Sequence, residues 1–144
     1  MEPEVKKIVR EFVFKLGYVH RCPEKMKILQ TYLCRHTFSG TLYRKSVSRT
    51  CDNLHKGDII DYSKRITSWS TSYDKCIKFK PDGMFDDEEC NPDTAPIYKL
   101  DSKNMLGKDI TDINPEEAEV LLAGGIKLVV TDVVGRLYTL ELVT

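Results

Sequence analysis

Two glutamates separated by one residue open an apolar segment near the C-terminus of this 144-residue chain. Glu117-Ala118-Glu119 precedes Val120-Leu121-Leu122, which is typical of a buried strand. Because side chains alternate along a strand, both carboxylates are expected on one face, roughly 7 Å apart along the backbone. Two like charges this close repel each other, so such a pair is expected to have either a functional role or a partner that stabilises it. An ordinary solvated strand start is the alternative.

Basic and hydroxyl side chains form two more candidate sites. Tyr43-Arg44-Lys45-Ser46 ends a predicted strand, where an arginine offers a planar fork of donors to a pyrophosphate and a lysine adds a point charge. Ser68-Trp69-Ser70-Thr71-Ser72 ends another strand, and alternation places its three serines on one face. Taken singly, each patch is more typical of a solvated surface, an edge strand or a helix cap.

Helices and short strands must position these residues. Apolar residues three and four apart predict a helix from Val5 to Leu16, ended by Gly17, and a second helix from Pro23 to about Arg35. The rest of the chain predicts strands and one short helix. The strands are Thr41-Leu42-Tyr43, Asp58-Ile59-Ile60, Ile66 to Ser72, Pro96 to Leu100, Ala118 to Leu122, Ile126 to Val134 and Leu137 to Val143, and the short helix is Tyr73 to Phe79.

Helices first and strands afterwards, without βαβ alternation, predict an α+β domain built on antiparallel strands. Hairpin turns are expected at Gly124-Gly125 and Gly135-Arg136. The segment 81–94 is rich in proline, glycine, asparagine and acid, so it predicts a loop. At this length we expect one domain, 1–144, with a helical scaffold in residues 1–40 and a β-rich core in residues 41–144.

The composition excludes several classes of protein. No apolar run approaches the roughly 20 residues that cross a bilayer, so no membrane contact is expected. The N-terminus has charges where a secretory signal needs an apolar core, which predicts a cytoplasmic protein. The five cysteines follow neither the spacing of a zinc site nor that of a disulfide framework, so we expect no metal and reduced thiols.

The charge distribution is uneven although the net charge is zero. Residues 1–80 hold 17 Lys and Arg against 8 Asp and Glu, whereas residues 81–144 hold 5 against 14. Zero net charge removes the usual reason to expect bulk nucleic-acid binding. Two solvated faces would explain the asymmetry, and so would a cleft between one basic and one acidic lip.

The three patches, in this order, resemble a known enzyme class. Strand-borne Tyr43-Arg44, then Ser70-Thr71-Ser72, then Glu117-Ala118-Glu119 with its apolar strand is similar to the arginine–serine–glutamate class of mono-ADP-ribosyltransferases. That class includes binary bacterial toxins and vertebrate ecto-enzymes. Further matching positions are Gly57-Asp58-Ile59-Ile60, Phe79 and Gly124-Gly125. The resemblance implies an ADP-ribosyltransferase-like fold, with leading helices on a mostly antiparallel two-sheet β core and a cleft for NAD⁺.

The resemblance also implies roles for these residues, with NAD⁺ as co-substrate. Breaking the bond between nicotinamide and ribose builds positive charge on the ribose. Glu119 is then the catalytic carboxylate that stabilises this cation, Ser70 orients Glu119, and Arg44 binds the NAD⁺ phosphates. The remaining implied NAD⁺ contacts are Tyr43, Lys45, Thr71, Ser72 and Phe79, with Lys78 or Lys80 as a further phosphate contact.

Glu117 concerns the acceptor. In this class a glutamate at that position accompanies transfer to arginine, whereas a glutamine accompanies transfer to asparagine or a nucleobase. A guanidinium stays protonated and needs a nearby carboxylate before its nitrogen can attack. The expected partner is therefore a protein with an acceptor arginine. Asn114 departs from the pattern, because many members have an aromatic residue there, in a target-contacting loop that Pro115 stiffens here.

Other functions stay open at this point. The chain could mainly hydrolyse NAD⁺, modify a nucleic acid or a small molecule, or serve as a non-catalytic interaction module on the same fold. A nucleic-acid-binding domain using residues 43–49 and the lysines of 75–80 is disfavoured by the acidic second half. We expect a monomer that acts in the cytoplasm, or in a host cytoplasm if the protein is an effector or viral factor.

Overall fold

Helices precede a β-rich region, as the order of the sequence patterns predicts. The computed structural model describes residues 1–15, 19–46, 54–79 and 93–143. The helices are α1 (Pro3–Phe14), α2 (Pro23–Leu33) and α3 (Tyr73–Lys78), and Val19–Arg21 forms one 3₁₀ turn. The strands are β1 (Thr37–Lys45), β2 (Ile59–Tyr62), β3 (Thr67–Ser70), β4 (Ile97–Asp109), β5 (Glu119–Leu122), β6 (Ile126–Val134) and β7 (Leu137–Leu142). Within the described residues, no helix is long and apolar enough to span a membrane.

Most elements lie where the sequence predicts them, but β1 and β4 are longer than predicted. β1 begins at Thr37, inside the segment 1–40 that was predicted as a helical scaffold. The pattern of β4 is visible only as far as Leu100, yet the strand continues to Asp109. Its second half alternates buried and exposed positions except at Lys103 and Asn104, which are both exposed, but most of its residues are polar. It is held in place by pairing with β1 and β5. Two other predictions lie outside the described residues. They are the end of the first helix at Gly17 and most of the acidic loop 81–94.

One hydrogen-bonded sheet connects all seven described strands, in the order β1-β3-β5-β4-β7-β6-β2, with a further β1–β4 pairing. The β4–β7 pair is parallel and the other described pairs are antiparallel, which confirms a mostly antiparallel α+β fold. The two sheets expected of the core are joined into one, because β4 pairs with β1 and β5 on one side and with β7 on the other. Its 13 residues pair with β7 near the start, β1 along most of the length, and β5 at the end.

The two glycine turns differ in what they connect. Gly135-Arg136 joins β6 to β7, which pair antiparallel, as predicted for a hairpin. Gly124-Gly125 joins β5 to β6, which are not neighbours, so the hairpin predicted there is wrong. β5 already lies between β3 and β4, and the Gln30 amide of α2 binds the backbone of Gly124 through two hydrogen bonds of 3.0 and 2.8 Å. The chain therefore continues from β5 to β6, which lies beyond β4 and β7 in the sheet.

Strand β5 is buried on both faces and divides two apolar clusters. Val120 and Leu122 pack in a cluster formed by sheet residues, whereas Leu121 packs with residues of α1 and α2 in the second. Close approach of β4 is possible because Gly107 has no side chain, since a Cβ there would lie 2.5 Å from the Leu121 carbonyl oxygen. By alternation, Glu119 faces the same side as Leu121, toward the helices.

Candidate active site

The register of β3 against β5 places two serines and Glu119 on one face of the sheet. Ser70 lies opposite Glu119 and Ser68 lies opposite Leu121, and directly opposed residues of antiparallel strands share a face. Trp69 points to the other face, where it is buried and its indole N–H donates to the Thr67 hydroxyl at 2.7 Å. The predicted alternation of this segment is therefore present.

Glu119 is a buried carboxylate, only 3% exposed, and it shares a neighbour with Glu117. Asn114 Nδ2 donates to Glu119 Oε1 at 2.9 Å and to Glu117 Oε2 at 2.6 Å. Among the described residues, Glu119 Oε2 has no partner with hydrogen-bonding geometry. The pair thus contains one buried acceptor atom without a partner in the described part of the chain, at a place where a ligand hydroxyl could bind.

Burial is the main reason that the pKa of Glu119 is raised, to about 8. The neighbouring Glu117 carboxyl adds to this rise in pKa through its close approach and its negative charge. The Ser68 hydroxyl and the Asn114 amide act in the opposite direction and lower the pKa, because they favour the ionised form. The pKa of Glu119 therefore lies above the ordinary range of a carboxyl group.

Glu117 does not lie on the strand, which corrects the alternation argument. β5 begins at Glu119, and Ala118 has a φ of 45°, in the left-handed region. Period-two geometry therefore fails between the two glutamates. Their side chains nevertheless converge, because the left-handed residue turns the backbone and Asn114 contacts both carboxylates.

Ala118 makes a stability test of this turn possible. A β-branched side chain is strongly disfavoured at positive φ, whereas glycine adopts it freely. We expect Ala118→Val to lower the free energy of unfolding by ~2 kcal/mol or more, and Ala118→Gly to stay within about 1 kcal/mol of the wild type. Urea denaturation of both variants measures the difference. Equal stability of the two variants would show that position 118 is not held in the left-handed region.

Ser70 supports the turn and does not hydrogen-bond to the Glu119 carboxylate. Its hydroxyl donates to the Glu117 carbonyl oxygen at 2.6 Å and accepts from the Ser72 N–H at 3.0 Å. Because a hydroxyl has a single proton, the role expected of Ser70 is indirect, through the backbone of Glu117. Ser68, which belongs to the predicted hydroxyl patch but was given no role, lies beside the carboxylate instead.

Thr71 and Ser72 connect this turn to α3. The Thr71 N–H donates to the Ala118 carbonyl oxygen at 3.1 Å, which continues the β3–β5 contact beyond the strand. Ser72 caps α3, with its hydroxyl accepting from the Lys75 N–H at 3.2 Å. Both residues therefore position the strand exit, and Thr71 itself is exposed.

Arg44 lies at the end of β1 with part of its guanidinium bound to protein. Nη1 donates to the Ser68 carbonyl oxygen at 2.9 Å, and the group lies 5.7 Å from the centre of the Tyr62 ring. Within the described part of the chain, the buried Nε–H has no hydrogen-bond partner. Nη1 orients the fork, and the remaining donors are suited to an anionic ligand.

Lys45 is almost completely buried and holds α3 in place. Its ammonium donates to the Phe79 carbonyl oxygen at 2.7 Å and to the Ile77 carbonyl oxygen, at the end of that helix. The structure thus gives Lys45 a structural contact that the sequence did not predict. Tyr43 packs edge-on against Tyr73 of α3, with ring centres 5.4 Å apart.

One cavity of about 320 Å³ brings most of the predicted residues together. Its lining includes Arg44, Ser70, Phe79 and both glutamates. The predicted residues Thr71, Ser72 and Lys78 do not line it. Lys80 lies outside the described residues. The lining residues that were predicted for NAD⁺ or catalysis are Tyr43, Arg44, Lys45, Ser70, Phe79, Glu117 and Glu119.

The leading helical region also lines the cavity. Phe12 and Val13 of α1 and His20 of the 3₁₀ turn face it, together with Arg65 ahead of β3. Burial, followed by the charges of Arg65 and Arg44, lowers the pKa of His20. The ring centres of Phe12 and His20 are 5.1 Å apart. The apolar periodicity of α1 identified Phe12 and Val13 as inward-facing, but not the cavity that they face.

Comparison of the sequence with protein families finds no family model that matches this chain. A search of curated proteins likewise finds no match.

Solved structures share the fold. C3stau2 from S. aureus, solved with NAD, matches 100% of this chain and 88% of that chain, with 12% sequence identity and a TM-score of 0.72. The match to the Vis toxin, an ADP-ribosyltransferase from Vibrio splendidus, covers 99% of this chain and 74% of that chain, with 19% sequence identity and a TM-score of 0.64. The match to Vis in complex with agmatine covers 97% of this chain and 69% of that chain, with 18% sequence identity and a TM-score of 0.56. The ADP-ribosyltransferase fold predicted from the ordered motifs is confirmed.

Proposed function

We propose that this chain, which has the fold of the ADP-ribosyltransferases, cleaves NAD⁺ between nicotinamide and ribose and transfers the ADP-ribose to a guanidinium group. The favoured acceptor is an arginine side chain of a protein. The observation that carries the proposal is Glu119, a buried carboxylate with a raised pKa and an unsatisfied oxygen among the described residues, in a cavity that Arg44 also lines. The proposal takes the chain as one domain, monomeric and cytoplasmic.

The chemistry of the bond requires a group such as Glu119. When the glycosidic bond breaks, its electron pair leaves with nicotinamide, which becomes neutral, and the ribose is left as an oxocarbenium ion. An ionised carboxylate stabilises that cation, and the unpaired Oε2 can accept a hydrogen bond from a ribose hydroxyl. Burial strengthens both interactions, because few water molecules compete in a site of low dielectric.

Glu117 suits the acceptor step. It is only half-buried and lines the same cavity, so an incoming guanidinium can reach its carboxylate. As a guanidinium nitrogen forms its bond to the ribose carbon, the nitrogen must lose a proton, and Glu117 can take it. Agmatine ends in a guanidinium group, so the Vis structure that contains it supports this class of acceptor.

A second candidate, hydrolysis of NAD⁺ or transfer to a small guanidinium compound, is favoured by Asn114. This position holds an aromatic residue that contacts the protein target in many members of the class that the sequence resembles. Here the side chain is an amide that is buried against the two carboxylates. The loop therefore lacks that aromatic contact, so binding of a protein target depends on other residues.

Incubation of the purified chain with NAD⁺ tests the proposal. Nicotinamide release is measured with NAD⁺ alone, with agmatine, and with a cell lysate, alongside labelled ADP-ribose on agmatine and on protein. Nicotinamide release that agmatine or lysate protein accelerates, with label on the acceptor, is the expected result. Absence of nicotinamide release under all three conditions would contradict the proposal and favour a non-catalytic interaction module.

Arg44→Lys tests the phosphate contact. Lysine keeps the positive charge but loses the planar fork of donors, and it cannot hold the Ser68 carbonyl in the same geometry. We expect the KM for NAD⁺ to rise about tenfold or more, with a smaller change in kcat, since the loss is mainly one of binding. Arg35→Lys, at an exposed arginine that does not line the cavity, is the matched control. An unchanged KM in Arg44→Lys would remove Arg44 from the NAD⁺ site.

A further inference from the structure

Asn114 is buried inside the loop that joins β4 to β5, with 6% of its surface exposed. The base of this loop is closed by two backbone hydrogen bonds of 2.9 Å, from the Ile110 N–H to the Glu119 carbonyl and from the Asn114 N–H to the Ile110 carbonyl. These bonds fix where the Asn114 side chain begins. The amide then reaches the carboxylates of Glu117 and Glu119 with one nitrogen.

We infer that Asn114 is a positioning residue of the proposed reaction: its amide holds the Glu117 and Glu119 carboxylates together, in the geometry and the ionised state that the reaction needs. This inference rests on the proposed function. The amide nitrogen has two hydrogens, and each carboxylate receives one of them. A neutral double donor stabilises two like charges at close range without neutralising either of them.

The effect of Asn114 can be separated from that of the other charged groups at the cavity. The basic side chains that line the same cavity are His20, Arg44, Lys45, Arg65 and Lys75. None of them hydrogen-bonds to the Asn114 side chain within the described residues. Replacement of Asn114 therefore leaves these basic side chains in place and removes the two donors.

Asn114→Leu is the principal test, because leucine has a similar shape and no donor. Loss of hydrogen bonds to ionised groups should move the acidic limb of the pH profile for nicotinamide release upward by about one pH unit. Activity near neutral pH then falls about tenfold and returns as the pH is raised. Asn114→Asp, which adds a third carboxyl group, should move the limb in the same direction. A residue that served only the fold would lower activity equally at every pH.

Thr111→Val is the matched control in the same loop. The Thr111 hydroxyl donates to Asp109 at 2.6 Å and contacts neither glutamate, so its loss should leave the acidic limb unchanged. The effect should also depend on Glu119. In the Glu119→Gln background, Asn114→Leu should produce a smaller pH-dependent change in stability, because only the Glu117 carboxylate still accepts from the amide.

Thermal unfolding supplies a readout that needs no activity. The Asn114 bonds are strongest to ionised carboxylates, so the Tm deficit of Asn114→Leu should grow between about pH 5 and about pH 9. The inference is overturned if the acidic limb stays where it is in the wild type. In a chain that does not cleave NAD⁺, it is overturned if the Tm deficit is constant over that range. Absence of cleavage together with a growing deficit would contradict the proposed function alone.

Discussion

Glu119→Gln should abolish nicotinamide release, with a loss on the order of 10²–10³-fold or more. Glutamine has nearly the shape of glutamate and can keep an oxygen toward Asn114, but it has no charge to stabilise the ribose cation. Transfer to agmatine or protein should fall in parallel, because both outcomes need the same bond cleavage. Initial rates of nicotinamide release at saturating NAD⁺ measure the effect.

The same substitution should stabilise the protein at alkaline pH. Because the pKa of Glu119 is raised in the folded state, its contribution to stability is present below the ordinary carboxyl pKa and is lost as pH rises toward about 8. Glutamine does not titrate, so the Tm of Glu119→Gln should exceed that of the wild type by an amount that grows with pH. Above pH 8, the free energy of unfolding of Glu119→Gln should exceed that of the wild type by more than about 1 kcal/mol, since a shift of one pKa unit corresponds to about that much.

Glu116→Gln is the control for both measurements, because Glu116 is an exposed glutamate of the same loop and does not line the cavity. It should leave activity and the pH dependence of Tm as in the wild type. Near-normal nicotinamide release by Glu119→Gln would contradict the assignment of Glu119. Loss of activity without the alkaline gain in Tm would instead show that Glu119 is ionised at no cost in the free protein.

Glu117→Gln should separate transfer from cleavage. Without a carboxylate to take its proton, an attacking guanidinium loses a general base, which is worth about 10²–10⁴-fold in rate. Formation of ADP-ribosyl-agmatine should fall by about that factor, while nicotinamide release into water stays within a few-fold of the wild type. Parallel measurement of both products, at the same NAD⁺ concentration, gives the ratio of transfer to hydrolysis.

The pH profile of Glu117→Gln provides a second signature. The Glu117 charge is one of the causes that raise the pKa of Glu119, so its removal should shift the acidic limb of nicotinamide release to lower pH. Equal losses of transfer and hydrolysis would place Glu117 in the cleavage step and remove its assignment to the acceptor. Glu116→Gln again serves as the control.

Local patterns in the sequence were sufficient for most of the elements. The spacing of apolar residues predicted α1 and α2, and the limits of β6 were predicted exactly from its apolar run. Such elements are visible because each one satisfies a period of its own. The second half of β4 has no such period, and its length depends on pairing with β1 and β5, which come from distant parts of the chain.

The sequence by itself determined which residue types could meet in the site: arginine on the first strand, serines on the third, and two glutamates at the fifth. Only the tertiary structure decided how they meet. The left-handed Ala118, the hydrogen bond from Ser70 to the Glu117 backbone and the inward position of Asn114 depend on backbone conformation and on contacts between segments far apart in the chain. Local periodicity contains no information about such contacts. Glu117 and Glu119 therefore converge through a turn and a shared amide, where alternation along a strand had predicted a common face.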